Sequence, residues 1–350
     1  MKKEIIIENR LIGDKTKPFI IAEIGQAHDG SLGLAHSYID AVADAGADAV
    51  KFQTHIANAE STLEEEFRII FSYEDKTRFD YWKRMEFTPE QWNGLLNHAK
   101  EKKLIFLSSP FSIEAAQLLE KIGVPAWKIG SGEITNKLLL DFISQTSKPV
   151  LISSGMSKWD ELADTIHFFS RKGCPVAVFQ CTSSYPVKLC NVGLNVMQEM
   201  KKRFGIPVGL SDHSGTLFPA LAALALDANL IEVHVVFHKQ MFGPDTSSSI
   251  TLEELKFLTE ARNAFWEMKN LVDKDEVAEQ LKETKKLFGR SLCLKTDADA
   301  GTVITREMLT LKKPGTGIPY SEIGQIVGRK LKRPVSCMRL LKWDDMEETS

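Results

Sequence analysis

The sequence predicts an α/β protein: a (β/α)8 TIM barrel followed by a small C-terminal domain. Three observations predict it. Eight short runs rich in Ile, Val and Phe alternate with amphipathic stretches, over about 240 residues, the size of such a barrel. Polar or ionisable residues follow every run at the same end. Beyond about residue 286 the texture changes to short strand-like runs and many Gly/Pro turns.

The runs are Phe19–Ile24, Ala49–Phe52, Leu104–Leu107, Ala126–Ile129, Val150–Ile152, Val176–Phe179, Val208–Leu210 and Leu230–Val233. Most are nearly continuous, which suits strands of a parallel sheet buried on both faces. Between them lie helical patterns such as LGLAHSYIDAVADAG, PEQWNGLLNHAKEKK and IEAAQLLEKIG, several closed by Gly or Lys. Alternating strands and helices imply parallel strands with crossover helices. An open doubly wound sheet would carry GxGxxG after its first strand; GQAHDG lacks that spacing. One connection is long: Thr54 to Thr88 leaves the end of the second strand, either as a lid or binding loop or as a packing or dimer surface. Two helical stretches, near Leu252–Met268 and Asp273–Leu287, precede the last part of the chain. The domains are therefore expected at 1–285 and 286–350.

Composition excludes several classes. Of 350 residues, 43% are hydrophobic and 26% charged, which rules out disordered and fibrous chains. Forty-four Lys and Arg against 47 Asp and Glu leave a net charge of −3, too neutral for a protein held on nucleic-acid backbones. No apolar run approaches the roughly 20 residues that span a bilayer. MKKEIIIENR interrupts its apolar III with glutamates and is not a signal peptide, so a cytoplasmic location is expected. Five cysteines without a CxxC pair predict neither disulfides nor a zinc site, only small buried apolar side chains.

The chemistry is expected where the strands end, because barrel active sites form there. The strand ends supply Glu23; Lys51 and Gln53; Ser108, Ser109 and Pro110; Lys128, Ser131 and Glu133; Ser153, Ser154 and Gly155; Thr182, Ser183, Ser184 and Tyr185; Ser211, Asp212 and His213; Glu232 and His234. One lysine alone reads as an ion pair with a pocket glutamate. Lys51 and Lys128 together, among Ser- and Gly-rich turns, read as a site for a phosphate and a carboxylate. His213 and His234 follow adjacent strands and suit one divalent ion, with substrate and water completing its shell. His28, His55 and His238 are read as loop or surface residues. Glu23 and Glu133 suit a general acid or base, or the orientation of a lysine or a sugar hydroxyl. Asp245, just past the eighth strand, suits a hydroxylated substrate. These parts fit carbon–carbon bond formation to a carbonyl, an aldolase or a sugar isomerase.

The ordered motifs go further. AEIG at 22–25, KFQ at 51–53, SSPF at 108–111, KIGSGE at 128–133, SSGM at 153–156, CTSSYP at 181–186, GLSDHS at 209–214 and GPD at 243–245 resemble the N-acetylneuraminate (sialic acid) synthase family. DADAGTVITREML and KKPGTGI resemble that family's antifreeze-like (SAF) domain. The resemblance implies condensation of phosphoenolpyruvate with an N-acetylated aldose, N-acetylmannosamine or a relative. The product is a nine-carbon 2-keto-3-deoxy acid, with phosphate released. It also implies a divalent metal, Mn2+ foremost with Mg2+ or Co2+ as alternatives. It implies a homodimer whose tail domain covers the partner's barrel, and no nucleic-acid or membrane partner.

Position by position, the resemblance assigns His213 and His234 to the metal. It places Lys51, Lys128, Ser109, Ser131, Ser153, Ser183 and Ser211 around the phosphoenolpyruvate. Glu23, Gln53, Tyr185 and Asp245 fall on the sugar side, and Glu133 near the reacting carbons. Three residues depart from the family pattern: Ala27 stands for Asn, Val233 for Arg, and Lys313 for the Arg that meets the N-acyl group. All three bear on the sugar half, which leaves legionaminate, pseudaminate and spore-coat polysaccharide synthases as alternative readings. A non-catalytic binding protein of the same fold is a reading of another class, and ice binding by the tail a third.

Overall fold

The structure, a computed structural model, describes residues 3–348. It forms two compact units, 1–269 and 270–350. In the first, eight parallel strands run Phe19–Gly25 (β1), Ala49–Thr54 (β2), Ile105–Pro110 (β3), Trp127–Ile129 (β4), Val150–Ser153 (β5), Val176–Cys181 (β6), Val208–Asp212 (β7) and Leu230–Val236 (β8). The ladder runs β3–β2–β1–β8–β7–β6–β5–β4. The β1–β8 pairing brings the ends of the sheet around, and no ladder joins β3 to β4 among the described residues. The outer helices are Leu32–Asp44 (α1), Pro89–Glu101 (α2), Ile113–Ile122 (α3), Lys137–Ser144 (α4), Trp159–Arg171 (α5), Leu194–Phe204 (α6), Phe218–Ala225 (α7) and Leu252–Met268 (α8). The barrel expectation is borne out.

Local chemistry starts these helices. Thr88 caps α2 reciprocally with Gln91, with Pro89 at the first turn, and Thr251 does the same for α8 with Glu254. Such caps contribute about 1 kcal/mol each. β7 approaches β8 so closely at Gly209 that an added Cβ would lie 2.2 Å from the Leu230 carbonyl oxygen.

Strand period two decides what points inward. Phe19 and Ile21 of β1, Ala49 of β2, Leu107 of β3, Leu151 of β5 and Phe179 of β6 fill the lower interior. Ile5, Ile7 and Ile12 join that cluster from an antiparallel hairpin, Ile5–Ile7 with Arg10–Ile12, which closes the N-terminal end of the barrel. The sequence alone shows only an interrupted apolar run there. The alternate positions Ile20, Ala22, Ile24, Val50, Phe52 and Val233 face the helices in the larger outer core. Val233 therefore faces away from the barrel interior, and the departure there does not reach the site.

The 54–88 connection contains helices Ala57–Glu60 and Arg78–Met85. Ala57, Tyr81, Trp82 and Met85 give it a small core of its own. Arg84 ties it down through Asp75 (Nη2–Oδ2 2.7 Å) and Asp29 (Nη1–Oδ1 2.7 Å).

The second unit pairs Ser291–Leu294 with Leu309–Lys312 around its own apolar cluster. Its buried Asp345 is held by Arg333 (2.9 Å) and Arg339 (2.7 Å). The expected helix over Asp273–Leu287 is two helices, Lys274–Gln280 and Lys282–Phe288. Two cysteine expectations need correcting: Cys190 is exposed and Cys337 half-buried, whereas Cys174, Cys181 and Cys293 are buried. No helix of the described residues is long and apolar enough to cross a membrane.

Candidate active site

The inward parity that places Phe19, Ile21 and Ala49 in the lower core continues up each strand to polar side chains. Glu23, Lys51, Gln53, Ser109, Lys128, Ser153, Ser211, Glu232 and His234 share that face. They open into one cavity of about 460 Å3, joined by Ser131, Glu133, Ser183, Tyr185, His213 and Asp245 from the loops above. Every barrel residue to which the resemblance assigns a substrate or metal role reaches this cavity, whereas Ser108, Pro110, Ser154, Gly155, Thr182, Ser184 and Asp212 from the same strand ends do not line it. Lys313 belongs to the second unit, where its Nζ lies 5.0 Å over the Phe288 ring.

At the base both lysines are ion-paired. Lys51 Nζ is 2.6 Å from Glu23 Oε2 and 3.7 Å from Glu232 Oε1. Lys128 Nζ is 3.2 Å from the same Glu232 oxygen, which also accepts from Ser211 Oγ at 3.2 Å. Each lysine donates to a serine as well, Lys51 to Ser109 (3.3 Å) and Lys128 to Ser153 (2.7 Å). Glu232 is thus the hub of the base. The sequence places it with His234 at the end of the eighth strand but assigns it no role of its own. Glu232 Oε2 is buried with no hydrogen-bond partner among the described residues.

The two carboxylates differ because their cations differ. Burial pushes Glu23 up to about 7, with Lys51 pulling against it and Glu232 adding to the rise. Burial opposes the charge of Glu232 too, but Lys128 and Lys51 hold it down at about 2. Burial lowers Lys128, whereas Glu23 and Glu232 outweigh burial at Lys51 and raise it.

Beside the lysines, serine hydroxyls crowd around Gly155. Ser131 Oγ accepts from the Gly155 amide at 3.0 Å. A Cβ at 155 would lie 2.3 Å from Ser183 Oγ, 2.7 Å from Cys181 Sγ and 2.8 Å from Ser131 Oγ. These are side-chain ends that can swing away, so Gly155→Ala is expected to fold. It displaces the hydroxyls, and KM for the anionic substrate is expected to rise at least about tenfold, with the melting temperature near wild type. Steady-state kinetics beside a thermal melt checks this.

Opposite the lysines, the His213 and His234 rings lie 5.3 Å apart at 65°. His213 Nδ1 lies 3.0 Å from the Thr182 carbonyl oxygen, which can only accept, so Nδ1 carries the hydrogen and Nε2 presents its lone pair. Burial lowers both imidazoles to about 3, with the His234 ring contributing at His213 and Lys51 at His234. Both are neutral, the form that binds metals. Two buried neutral imidazoles at this spacing fit a shared divalent ion. No cluster of three His, Cys, Asp or Glu is placed to hold one alone among the described residues, so substrate and water would supply its other ligands.

The outer side is a chain of hydrogen bonds. Gln53 Nε2 donates to Glu23 Oε1 (2.7 Å) and Gln26 Nε2 to Gln53 Oε1 (2.5 Å). Gln26 Nε2 also lies 2.7 Å from His55 Nε2, and His55 Nδ1 lies 2.6 Å from Glu60 Oε1. The His55 ring is stacked between Trp82 (3.9 Å) and Phe111 (4.5 Å). His28 and His55 lie in the turns and connections expected of them but are buried rather than at the surface, whereas His238 is exposed. Gln26 lines the cavity while its neighbour Ala27 packs against the outer core, so the Ala27 departure does not reach the site either.

Arg68, from the long connection, donates to Asp245 Oδ1 (2.8 Å) and the Pro244 carbonyl (3.1 Å). It also lies 4.3 Å over the Tyr185 ring, and Tyr185 in turn stacks on His213 at 4.2 Å. Nothing in the sequence singled out Arg68, because its partners lie far away in the chain. Asn136 Nδ2 donates to Glu133 Oε2 at 2.7 Å, yet burial still raises this carboxyl.

Comparison with known proteins places the chain in a family. Residues 38–274 match the NeuB family and 289–347 the SAF domain. The chain is 34% identical to the N,N'-diacetyllegionaminic acid synthase of Campylobacter jejuni, over 89% of this chain and 95% of that one. It is 31% identical to the human N-acetylneuraminate-9-phosphate synthase, over 92% and 90% of the two chains. The crystal structure of a sialic acid synthetase from Leptospira borgpetersenii superposes with a TM-score of 0.71 at 30% identity, covering 81% of this chain and 97% of that one. A barrel with ionisable groups at its strand ends, matched over nearly its whole length by these enzymes, makes this chain a member of the NeuB family that ends in a SAF domain.

Proposed function

We propose that the protein joins phosphoenolpyruvate to an N-acetylated aldose, N-acetylmannosamine or a relative, and releases phosphate with a nine-carbon 2-keto-3-deoxy sugar acid. The observation that carries this reading is the buried pair Lys51 and Lys128 at the base, facing the neutral pair His213 and His234. One end suits a small polyanion and the other a carbonyl to be polarised. The names of the relatives support it, and a legionaminic or pseudaminic acid precursor is an acceptor of the same kind.

In this reading the phosphate and carboxylate of phosphoenolpyruvate lie against Lys51 and Lys128 and the hydroxyls of Ser109, Ser131, Ser153, Ser183 and Ser211. The cations are already fixed by Glu232 and Glu23, so little reorganisation accompanies reaction. Glu23, Gln53, Tyr185 and Asp245 take the acceptor's hydroxyls. The enolpyruvate C3 bonds to the aldehyde carbon, and Glu133 gives its proton to the aldehyde oxygen. Water then adds at C2 and returns a proton to Glu133. The C2–O bond breaks with its electron pair on the leaving phosphate, which takes the proton of the C2 hydroxyl as C2 becomes the ketone. A divalent cation held by His213 and His234, Mn2+ in this proposal, supplies Lewis-acid polarisation of the carbonyl. A cytoplasmic homodimer, with Lys313 of each tail serving the other subunit, belongs to the same proposal.

The ionised form of Glu23 accepts from Gln53 and fixes Lys51. Protonation as pH falls removes that charge, so kcat/KM for the acceptor is expected to rise with pH through about 7 and level off above it. Glu23→Gln should lose this limb. A pH–rate profile that stays flat from pH 5.5 to 8 in the wild type contradicts the role.

The direct test is phosphate release from phosphoenolpyruvate with Mn2+, with N-acetylmannosamine and with 2,4-diacetamido-2,4,6-trideoxymannose, beside no-acceptor and EDTA controls. Release that needs an acceptor and vanishes in EDTA is expected. Release without any acceptor contradicts the proposal.

A further inference from the structure

His55 and Glu60 stand at the start of the 54–88 connection, beside the cavity, with side chains 3% and 7% exposed. Trp82 and Phe111 cover the two faces of the His55 ring, so only its edge is left to interact. Both nitrogens on that edge are taken. Nδ1 lies 2.6 Å from Glu60 Oε1, and Nε2 lies 2.7 Å from Gln26 Nε2 and 3.3 Å from Gln53 Oε1. The ring therefore has no polar atom left for a substrate. What it does, it does through its neighbours.

Each contact in this chain has one sense. The Glu60 carboxylate accepts, so Nδ1 carries the hydrogen and Nε2 a lone pair. The 2.7 Å contact agrees: an amide nitrogen can only donate, and two donors cannot approach so closely, whereas 3.3 Å between two acceptors is an ordinary contact. Gln26 Nε2 gives one hydrogen to His55 Nε2 and the other to Gln53 Oε1 at 2.5 Å. With its oxygen filled, Gln53 turns its Nε2 to Glu23 Oε1 at 2.7 Å and keeps a second hydrogen free. The opposite sense fails along the whole chain. Gln26 turned over sets its oxygen against the His55 lone pair and against Gln53 Oε1. Gln53 turned over with it sets oxygen against the Glu23 carboxylate.

We infer that His55, held by Glu60, is a positioning residue for the acceptor sugar: its Nδ1–H tautomer sets the Gln26 amide, and Gln26 sets Gln53 so that N–H, not oxygen, faces Glu23 and the acceptor. This rests on the synthase reading above. It gives the inner part of the 54–88 connection a task in the acceptor half, while the lysine-lined base that meets phosphoenolpyruvate lies beyond Glu23, at the far end of the chain.

The test measures phosphate release from phosphoenolpyruvate with Mn2+, beside a thermal melt of each variant. The acceptor is N-acetylmannosamine or 2,4-diacetamido-2,4,6-trideoxymannose, whichever the wild type turns over faster. His55→Phe keeps a ring between Trp82 and Phe111 and removes both nitrogens. Its kcat/KM for the acceptor is expected to fall about tenfold or more, with KM for phosphoenolpyruvate within about threefold of wild type. Glu60→Leu is expected to lose as much, and Glu60→Gln, which still accepts from Nδ1–H, to recover most of that loss. The double variant His55→Phe with Glu60→Leu is expected to be no worse than His55→Phe alone, because the two act as one unit. The two Glu60 variants decide the matter should His55→Phe melt below the assay temperature. A further readout needs no turnover. Long-range 1H–15N spectra of the Mg2+-loaded protein at pH 8, with His55 identified by the signals missing from His55→Phe, are expected to show hydrogen on Nδ1 and none on Nε2. An unchanged acceptor kcat/KM in His55→Phe, equal losses for both substrates, losses that add in the double variant, or hydrogen on Nε2 each overturn the inference and leave the synthase reading standing. No phosphate release by the wild type with either acceptor overturns the synthase reading, and the acceptor role of His55 with it.

Discussion

Lys51→Met is expected to lower kcat/KM for phosphoenolpyruvate by about a thousandfold or more, the loss that accompanies removal of a fixed charge from a water-excluded anion site. The side chain is 2% exposed and touches Glu23, Glu232 and Ser109. Its loss leaves Glu232 paired with Lys128 but strips Glu23 of the one cation paired with it among the described residues. A buried carboxylate without a partner destabilises by about 3–5 kcal/mol unless it takes up a proton. Glu23, already raised to about 7, does so readily, and the fold should survive. Lys51→Met combined with Glu23→Gln separates the two effects. The double variant is expected to regain the melting temperature and not the activity. Recovery of activity in the double variant would show that Lys51 serves only to neutralise Glu23.

That outcome depends on residues that the sequence exposed unevenly. Eight runs at barrel spacing, each ending in a polar group, were sufficient for the architecture, and period two along the strands explains why. Once Ile21, Leu107 and Leu151 face inward, Glu23, Ser109 and Ser153 must do the same. Glu232 follows from that parity as well, although an acidic residue two before a histidine carries no signal until the strand face is known. The N-terminal hairpin was not legible, because three-residue strands separated by a Glu–Asn turn look like a ragged terminus. Arg68, Glu60 and Trp82 were not legible either. Their place is fixed by contacts with Asp245, His55 and Arg78, across a connection whose path no local pattern encodes. The departures at Ala27 and Val233 looked like changes to the sugar site only while their side chains had no direction. Both point into the shell between strands and helices.

The second large effect is at the imidazoles. His213→Ala and His234→Ala are each expected to abolish activation by Mn2+ and lower kcat by about a thousandfold or more. The wild type stripped with EDTA should behave like either variant, and added Mn2+ should restore the wild type alone. His213 also supports the Tyr185 ring, 4.2 Å away, and Tyr185 carries Arg68 at 4.3 Å, so His213→Ala disturbs the outer wall too. His234 touches fewer of these groups, and His234→Ala is the cleaner measurement. Wild-type activity that survives exhaustive chelation would remove the metal from the proposal, while the anion site at Lys51 and Lys128 would stand unaffected.

The chemistry at C2 is the centre of the account, and the fate of one oxygen tests it. Phosphoenolpyruvate carrying oxygen-18 in the bridge between C2 and phosphorus is turned over with the preferred acceptor, and the phosphate is analysed by mass. Bond formation at C3, water addition at C2 and loss of phosphate through the C2–O bond predict that the label leaves with the phosphate. Unlabelled phosphate would mean that the phosphorus–oxygen bond breaks, and would contradict the proposed role of the lysine-lined base.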